Sequence, residues 1–347
     1  MKSIPRQSCL SFAFAAVGLV AIARPTIAHA YAIDVSDATA NNSRTIHAYL
    51  ENNVSVEMFK ISFTATAGEK RRVRGQIYAS MPATAVDDLL MVGVTIQCAS
   101  GTSYAAATAD ANLGNTQNVL RGASLSLSPR IVYTATSSGI QTCGLSVVTS
   151  RPRPAVPEDD ESNYFTVDPG SFLEATVAIH PSAAQGFRVG PPSARLESGD
   201  AFDAAAFNWT APAGVTNFAV SGDVKVTTCT SVSGSRDVTT GGVYLCEGHV
   251  NPAGSTVGTV VVARQLKISD PSTPCAATSS PATGYTTTTV SKDVHHRMIY
   301  GSVSVNVSSA PDCSRTFRIK VYVKNLGDPS RSAFVVHVPN SITAAIP

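Results

Sequence analysis

Residues 63–77 read FTATAGEKRRVRGQI, and residues 209–224 read WTAPAGVTNFAVSGDV. Each stretch runs from an aromatic residue through a T-A-x-A-G turn into a strand that carries a glycine between apolar residues. Gly68 and Gly214 lie 146 residues apart, and the glycines of the two strands, Gly75 and Gly222, lie 147 residues apart. Because self-similarity at a nearly fixed offset is typical of a duplication, the sequence predicts two diverged copies of one β-sandwich.

Alternation of apolar and polar residues indicates strands along most of the chain, whereas helical periodicity is nearly absent. Segments with one apolar and one polar face are typical of antiparallel sheets that pack face to face. We therefore predict an all-β fold of two tandem, disulfide-bonded antiparallel β-sandwich domains. The clearest segments are Val73–Ala79, Phe218–Val226, Ile299–Val307 and Phe317–Val323.

Composition places the domain bounds at 1–30 for a signal peptide, 31–195 for the first sandwich and 196–347 for the second. Arg151–Glu161 is rich in proline and charge and cannot pair in a sheet, so we expect a long loop within the first domain. Gly186–Ala205 contains two prolines in succession and a Gly-Asp pair, and it is the expected linker.

The N-terminal segment has the features of a secretory signal. Lys2 and Arg6 precede the apolar stretch Leu10–Ala23, and Ala28-His29-Ala30 matches a cleavage site. The apolar stretch is too short for a stable membrane span. We therefore expect a secreted, extracellular protein, released in soluble form without a membrane span after cleavage.

The charge balance argues against a nucleic-acid partner. The sequence has 26 basic and 24 acidic residues, and loss of Lys2, Arg6 and Arg24 with the signal leaves 23 basic residues. A nearly neutral chain gives no electrostatic reason to expect nucleic-acid binding.

An even number of cysteines after the signal predicts three disulfides in an exported chain. Cys98 continues the apolar phase of Val94 and Ile96, and Cys143 precedes Leu145 in phase, so both face the first core. Their pairing closes a loop of about 45 residues, which stabilises by roughly 4 kcal/mol. The six cysteines are Cys98, Cys143, Cys229, Cys246, Cys275 and Cys313.

The four cysteines of the second half allow three connectivities. We favour Cys229–Cys246 with Cys275–Cys313, because a hairpin through Ser231–Gly242 would bring the first two together on one outer surface. The alternative pairs Cys246 with Cys313 and Cys229 with Cys275, and it follows if the repeat extends to the cysteines.

Candidate catalytic residues are sparse, and no catalytic, cofactor or metal site is predicted. Glu247 and His249 could exchange protons, but no third partner is visible in the sequence. Asp293 precedes His295 and His296, and adjacent residues of a strand point to opposite faces. These two histidines therefore cannot bind one metal ion from a strand.

Charge runs and aromatic residues have simple structural interpretations. Lys70–Arg74 is read as a charged turn that enters a strand, with contact to an anionic polymer or wall phosphate as the alternative. Trp209 is expected to pack in the core or at a domain edge. A sugar site stays open if Tyr300 and Tyr322 share an outer face.

Gly222–Cys229, the His295-His296 pair before a strand, and Cys313 before Phe317–Lys324 form a familiar combination. It resembles exported actinobacterial proteins of no assigned function. The resemblance implies export from a bacterium and the use of disulfides, and it carries over no activity and no site residue.

We therefore predict a secreted, non-catalytic protein without a cofactor, acting as an extracellular or cell-surface binding or structural module. The expected partner is an extracellular protein or a cell-wall polymer. One alternative is a secreted hydrolase whose site lies around His249 or His295 and His296. Another is an inhibitor or toxin that acts through the Ser231–Gly242 loop.

Overall fold

Strands supply all the regular secondary structure that the computed structural model describes, and no helix occurs among those residues. Strands in the first half are β1 Asp34–Ser36, β2 Arg44–His47, β3 Ser55–Ala65, β4 Lys70–Ser80, β5 Leu89–Ser100, β6 Asp110–Leu120, β7 Ser124–Leu127, β8 Arg130–Thr134, β9 Gly139–Ser150, β10 Tyr164–Val167 and β11 Phe172–Ala175. Those in the second half are β12 Ala184–Phe187, β13 Ser193–Leu196, β14 Ala201–Ala211, β15 Asn217–Thr228, β16 Thr239–Thr240, β17 Val243–Tyr244, β18 Val260–Ser269, β19 Thr283–Val290, β20 His296–Asn306, β21 Arg315–Asn325 and β22 Phe334–Ala345.

The structure describes these strands and the short connections next to them. The described residues are 34–36, 43–47, 55–87, 89–102, 110–150, 163–187, 193–196, 199–212, 214–215, 217–228, 239–240, 243–244, 260–269, 283–290, 296–306, 315–325 and 334–345. They all belong to one compact unit, Ala32–Pro347. The predicted signal peptide and the predicted Arg151–Glu161 loop lie outside the described residues. No helix in the described part of the chain is long and apolar enough to cross a membrane.

The first half forms two antiparallel sheets. In one of them β4 is central, with β10 and β11 along one side and β7 and β8 along the other. β1 and β2 extend this sheet beyond β11 and β10. The other sheet has the order β3-β9-β5-β6. Short strands that continue one another are counted as one row. The eight rows along the chain are then β1 with β2, β3, β4, β5, β6, β7 with β8, β9, and β10 with β11. Numbered in this order, the two sheets have the row orders 1-8-3-6 and 2-7-4-5.

The second half repeats both row orders. β12 and β13 form its first row and pair with β22, which is followed by β15 and β20. The partner sheet has the order β14-β21-β18-β19. β16 and β17 make a small separate hairpin between the third and fourth rows. Every ladder joins antiparallel neighbours, as the alternating sequence patterns predict.

Each half has its own cluster of buried apolar side chains, to which both of its sheets contribute. In the first half, Ile77 and Phe165 from one sheet meet Ile96 and Leu145 from the other. In the second half, Val224 and Phe218 meet Ile319 and others in the same way. Burial of apolar area between two sheets is the main force that holds such layers together.

The predicted strand phases are confirmed where side chains are described. Val73 and Ile77 are fully buried, whereas Arg74 and Tyr78 on the other face of β4 are exposed. Cys98 and Cys143 lie opposite each other on β5 and β9 and form the predicted disulfide. Such a bond fits a protein of an oxidising, extracellular compartment.

The expected linker Gly186–Ala205 contains strands instead. β12 and β13 pair with β22, and β14 pairs with β21, so most of this stretch belongs to the sheets of the second half. The first half extends at least to Ile179, whose N–H donates to the carbonyl of Lys70. The prediction was wrong because local composition does not show that β12, β13 and β14 pair with strands far away in sequence.

Candidate functional site

A cleft of about 380 Å³ lies where the outer face of one first-half sheet meets the outer face of a second-half sheet. The first half contributes side chains from β4, β8 and β11 and the segment between β7 and β8, and the second half contributes them from β15 and β20. The lining residues are Arg72, Arg74, Gly75, Gln76, Ser128, Arg130, Phe172, Ala219, Ser221 and Ser302.

Three guanidinium groups make one wall of this cleft basic. Arg72 and Arg74 share the outer face of β4, because they are two residues apart on a strand. Arg130 on β8 is the direct cross-strand partner of Arg74. Like charges directly opposite each other destabilise a sheet, so this pair costs free energy that other contacts must offset.

Glu174 and Phe172 hold Arg74 in place from the neighbouring strand. Glu174 is opposite Arg74 in the ladder, is almost fully buried, and accepts a hydrogen bond from Arg74 Nε in an ion pair. The guanidinium carbon of Arg74 lies 5.5 Å from the ring centroid of Phe172, within range of a cation–π contact. About half of the Arg74 side chain is still exposed (54%), so its charge is accessible from the cleft.

A polar network orders the floor of the cleft. Ser128 Oγ donates to Gln76 Oε1 at 2.6 Å, and Gln76 Nε2 donates to Ser126 Oγ at 2.5 Å. Because the amide is fixed from both ends, its orientation is defined. Ser221 and Ser302 add hydroxyl groups from the opposite half.

Tyr300 joins the two halves next to the cleft. Its hydroxyl oxygen accepts a hydrogen bond from the backbone N–H of Ser128 at 3.0 Å, and its ring packs against the first core. Arg130 lies over the ring, 5.8 Å from its centroid. Burial raises the pKa of Tyr300 far above its ordinary value. The hydrogen bond from the Ser128 N–H opposes this rise in part, and the charges of Asp223 and Arg130 have smaller effects that raise and lower the pKa, respectively.

Asp223 and Lys225 are further polar residues on the outer face of β15. Asp223 is only 3% exposed. Burial lowers the pKa of Lys225. Tyr300, the ladder partner of Asp223, packs against the first core, so this part of the outer face is covered by the first half.

None of the weak catalytic candidates is among the described residues that line this cleft. Glu247, His249, Asp293 and His295 lie outside the described residues, so the hydrolase alternative that depends on them stays a prediction. His296 begins β20 and pairs with Thr227 in the ladder. Among the described residues no group of three or more His, Cys, Asp or Glu side chains could hold a metal ion.

The cysteines and the loop of the second half also fall mainly outside the described residues. Cys229, Cys246, Cys275 and Cys313 are not described, so their connectivity stays a prediction. Within the Ser231–Gly242 loop the structure describes only β16, which pairs with β17.

The basic run Lys70–Arg74 does enter a strand, as the structural interpretation predicts. Lys70 Nζ donates to the carbonyl of Ala183 at 2.6 Å, and Arg71 pairs with Glu69. The same run also supplies two of the three cleft arginines. Sequence reasoning missed Arg130 and Phe172, because nothing local marks either residue; only the alternation Arg72, Arg74, Gln76 signalled a polar face.

The aromatic residues behave partly as expected. Trp209 is buried in the second core, with its ring centroid 4.5 Å from that of Phe218, and its Nε1 donates to the carbonyl of Ser182 at 2.7 Å. The idea that Tyr300 and Tyr322 share an outer face was wrong, because β20 and β21 belong to different sheets. A two-tyrosine sugar platform is therefore ruled out.

No protein-family model and no curated protein matches the chain. Among solved structures it is similar to the CBM22-1–CBM22-2 tandem domain of Xyn10C from Paenibacillus barcinonensis, at 12% identity over 91% of this chain and 92% of that chain, with a TM-score of 0.23. It is also similar to the stem and receptor-binding domain of spike protein P1 from bacteriophage PM2, at 10% identity over 88% and 97%, with a TM-score of 0.24. A structure of infectious bursal disease virus, Gx strain, matches at 9% identity over 88% and 72%, with a TM-score of 0.29. These TM-scores are too low to establish a shared fold, so no conclusion about fold or function follows from them.

Proposed function

We propose that the protein is an exported, non-catalytic binding module that takes its ligand in the cleft between two tandem sandwich domains. The observation that carries this proposal is the composition of the cleft, which draws arginine, serine, glutamine and phenylalanine side chains from both halves. These residue types hold and orient a ligand by hydrogen bonds, charge and ring contact. Among the described lining residues no carboxylate, imidazole or thiol occurs.

The repeated row order supports two tandem sandwiches that arose by duplication. Phe63 and Trp209 lie in the second row of their halves, and Gly75 and Gly222 lie in the third. The two sequence repeats therefore fall on equivalent rows. The row orders 1-8-3-6 and 2-7-4-5 are those of a jelly roll, an eight-row sandwich that hosts many binding proteins. In this proposal the boundary lies near Pro181, not at residue 195.

The segment that joins the two halves is fixed from both sides. Lys70 of the first half donates to the carbonyl of Ala183, and Trp209 of the second half donates to the carbonyl of Ser182. The backbone N–H of Val132 donates to the side-chain oxygen of Gln185 at 2.9 Å. A cleft between domains held in this way is preorganised, which reduces the entropic cost of binding.

The same row correspondence supports one of the predicted disulfides. In the first half the disulfide links the fourth row to the seventh. In the second half these rows are β18 and β21, and Ser269 at the end of β18 pairs with Arg318 near the start of β21. Cys275 follows the first strand and Cys313 precedes the second in sequence. We therefore retain Cys275–Cys313 with Cys229–Cys246, and peptide mapping without reduction tests this pairing.

Ligand binding is tested with one variant that blocks the cleft and one matched control. Ser302 lines the cleft from β20 and is exposed, so Ser302→Trp fills the space with little effect on folding. Ser304 lies on the same face of the same strand, is exposed, and is not a lining residue, so Ser304→Trp is the control.

The mature protein and both variants are incubated with cell-wall fragments, a panel of polysaccharides and culture supernatant. We expect a bound component that the Ser302→Trp variant loses and the Ser304→Trp variant keeps. Equal retention by both variants for every bound component would overturn the assignment of the cleft. Turnover of a bound polymer would instead support the hydrolase alternative.

A further inference from the structure

The arginine wall of the cleft identifies the chemistry of the ligand more closely. We infer that the cleft binds the oxyanion groups of an acidic polysaccharide, that is, carboxylates or sulfate esters on a sugar chain; this rests on the proposed function of the cleft. The guanidinium group suits this task because its planar set of N–H donors matches the two oxygens of a carboxylate or a sulfate.

The lining of the cleft itself is positive. Its described residues include the guanidinium groups of Arg72, Arg74 and Arg130 and no carboxylate. Glu174, which pairs with Arg74, is almost fully buried, whereas about half of the Arg74 side chain is exposed (54%). An anionic group that enters the cleft therefore meets guanidinium groups and no described carboxylate of the lining.

The cross-strand placement of Arg74 and Arg130 also favours an anionic ligand. The two residues are direct neighbours in the β4–β8 ladder, where like charges repel. The geometry keeps this repulsion at the wall of a cavity and not on an open surface. An anion between two neighbouring guanidinium groups would convert the repulsion into two charge-assisted contacts.

The other lining residues favour a sugar over a nucleic acid or a peptide. Ser128, Ser221, Ser302 and Gln76 offer hydroxyl and amide groups, which match the many hydroxyl groups of a sugar chain. Phe172 offers an apolar ring beside them.

The test uses affinity electrophoresis of the full mature protein with three probes. Polygalacturonate supplies carboxylates, dextran sulfate supplies sulfate esters, and unmodified dextran is the neutral control. We expect retardation by at least one of the two acidic polymers and not by dextran, with a retardation that weakens as salt is added. Comparison of the two acidic polymers identifies which oxyanion the cleft prefers.

Two variants test whether the retardation depends on the arginines of the cleft. Arg72→Gln combined with Arg130→Gln removes two charges from the cleft but keeps the Arg74–Glu174 pair, and we expect about a tenfold or greater loss of affinity. Arg318→Gln removes an exposed arginine of β21 that bonds to Asn208 outside the cleft, and we expect less than about a twofold change. Thermal unfolding of each variant establishes that it is folded.

Each remaining outcome overturns the inference. No retardation by either acidic polymer, or an equal loss of retardation in the Arg318→Gln variant, would contradict it. Binding of dextran that Ser302→Trp abolishes would leave the proposed function standing while the inference about oxyanions fails. If the Ser302→Trp variant still bound the acidic polymers, both the proposed function of the cleft and the inference about oxyanions would be contradicted.

Discussion

The two halves of the chain use the same strand order, but the described parts of their cores differ. In the first half a disulfide links β5 to β9 within the core. The corresponding strands of the second half, β18 and β21, contain no cysteine, and its described core has a cluster of three aromatic rings. Trp209, Phe218 and Phe317 lie with ring centroids 4.5 to 6.3 Å apart. The strand order accommodates both interiors, because it depends on the pattern of burial and not on one particular contact.

The disulfide gives the largest expected difference between the halves. Replacing Cys98 and Cys143 together by alanine should lower the free energy of unfolding of the first half by about 4 kcal/mol, because the unfolded chain regains the freedom of the 45-residue loop. Urea unfolding followed by circular dichroism measures the whole chain. Trp209 is the single tryptophan, so its fluorescence follows the second half alone. An equally large shift in the fluorescence transition would show that the halves unfold as one unit.

The aromatic cluster is the corresponding weak point of the second half. We expect Trp209→Ala to destabilise that half by about 3 kcal/mol or more, since it leaves a cavity beside Phe218 and removes the hydrogen bond to Ser182. Trp209→Phe should cost less, about 1 to 2 kcal/mol, because it keeps most of the ring contacts. Circular dichroism is the readout. Equal losses in the two variants would mean that the hydrogen bond, and not the packing, dominates.

The close packing of the two sheets in the first half can be tested at Gly75 on β4. A Cβ atom on Gly75 would lie 2.1 Å from Cδ1 of Leu145, which is buried on β9. We expect Gly75→Ala to cost roughly 1 to 3 kcal/mol by overpacking. Adding Leu145→Ala should then cost less than it does in the wild-type background, because the two changes share one space. Additive losses would contradict the predicted contact.

The smallest expected effect concerns the contact between the halves. Tyr300→Phe leaves the N–H of Ser128 without its acceptor, which we expect to cost about 1 to 2 kcal/mol. The raised pKa of Tyr300 means that the unfolded chain ionises first. Its stabilising contribution is therefore complete below about pH 10 and is lost as the pH rises beyond that value.

Urea unfolding between about pH 8 and pH 11 measures this dependence. The decline in stability should be shallower in Tyr300→Phe than in the wild type. Tyr322→Phe, on the other sheet of the second half, serves as the control. A decline of unchanged steepness in Tyr300→Phe would show that this phenol does not control the alkaline response.

Much of the first half could be predicted from local patterns. The phase of Cys98 and Cys143 relative to their apolar neighbours predicted their pairing, because side chains on a strand alternate strictly between two faces. The same rule placed Val73 and Ile77 in the core. It did not show the burial of Asp223, because alternation identifies which side chains share a face and not what covers that face.

The linker and the tyrosine platform failed for a related reason. Gly186–Ala205 looked irregular, yet it supplies strands that pair with β21 and β22, far away in sequence. Tyr300 and Tyr322 have similar local surroundings but belong to different sheets. Pairing between distant strands depends on chain topology, which a local pattern does not contain.

By itself the sequence determined the strand content, the faces of the best-patterned strands and the Cys98–Cys143 pair. These properties follow from the two-residue period of a strand and from the need to bury apolar side chains. Only the tertiary structure decided that Arg72 and Arg74 meet Arg130, Phe172 and the serines of the second half in one cleft. That cleft exists because two outer faces are brought together, and each of those faces alone has the sequence of an ordinary solvated surface.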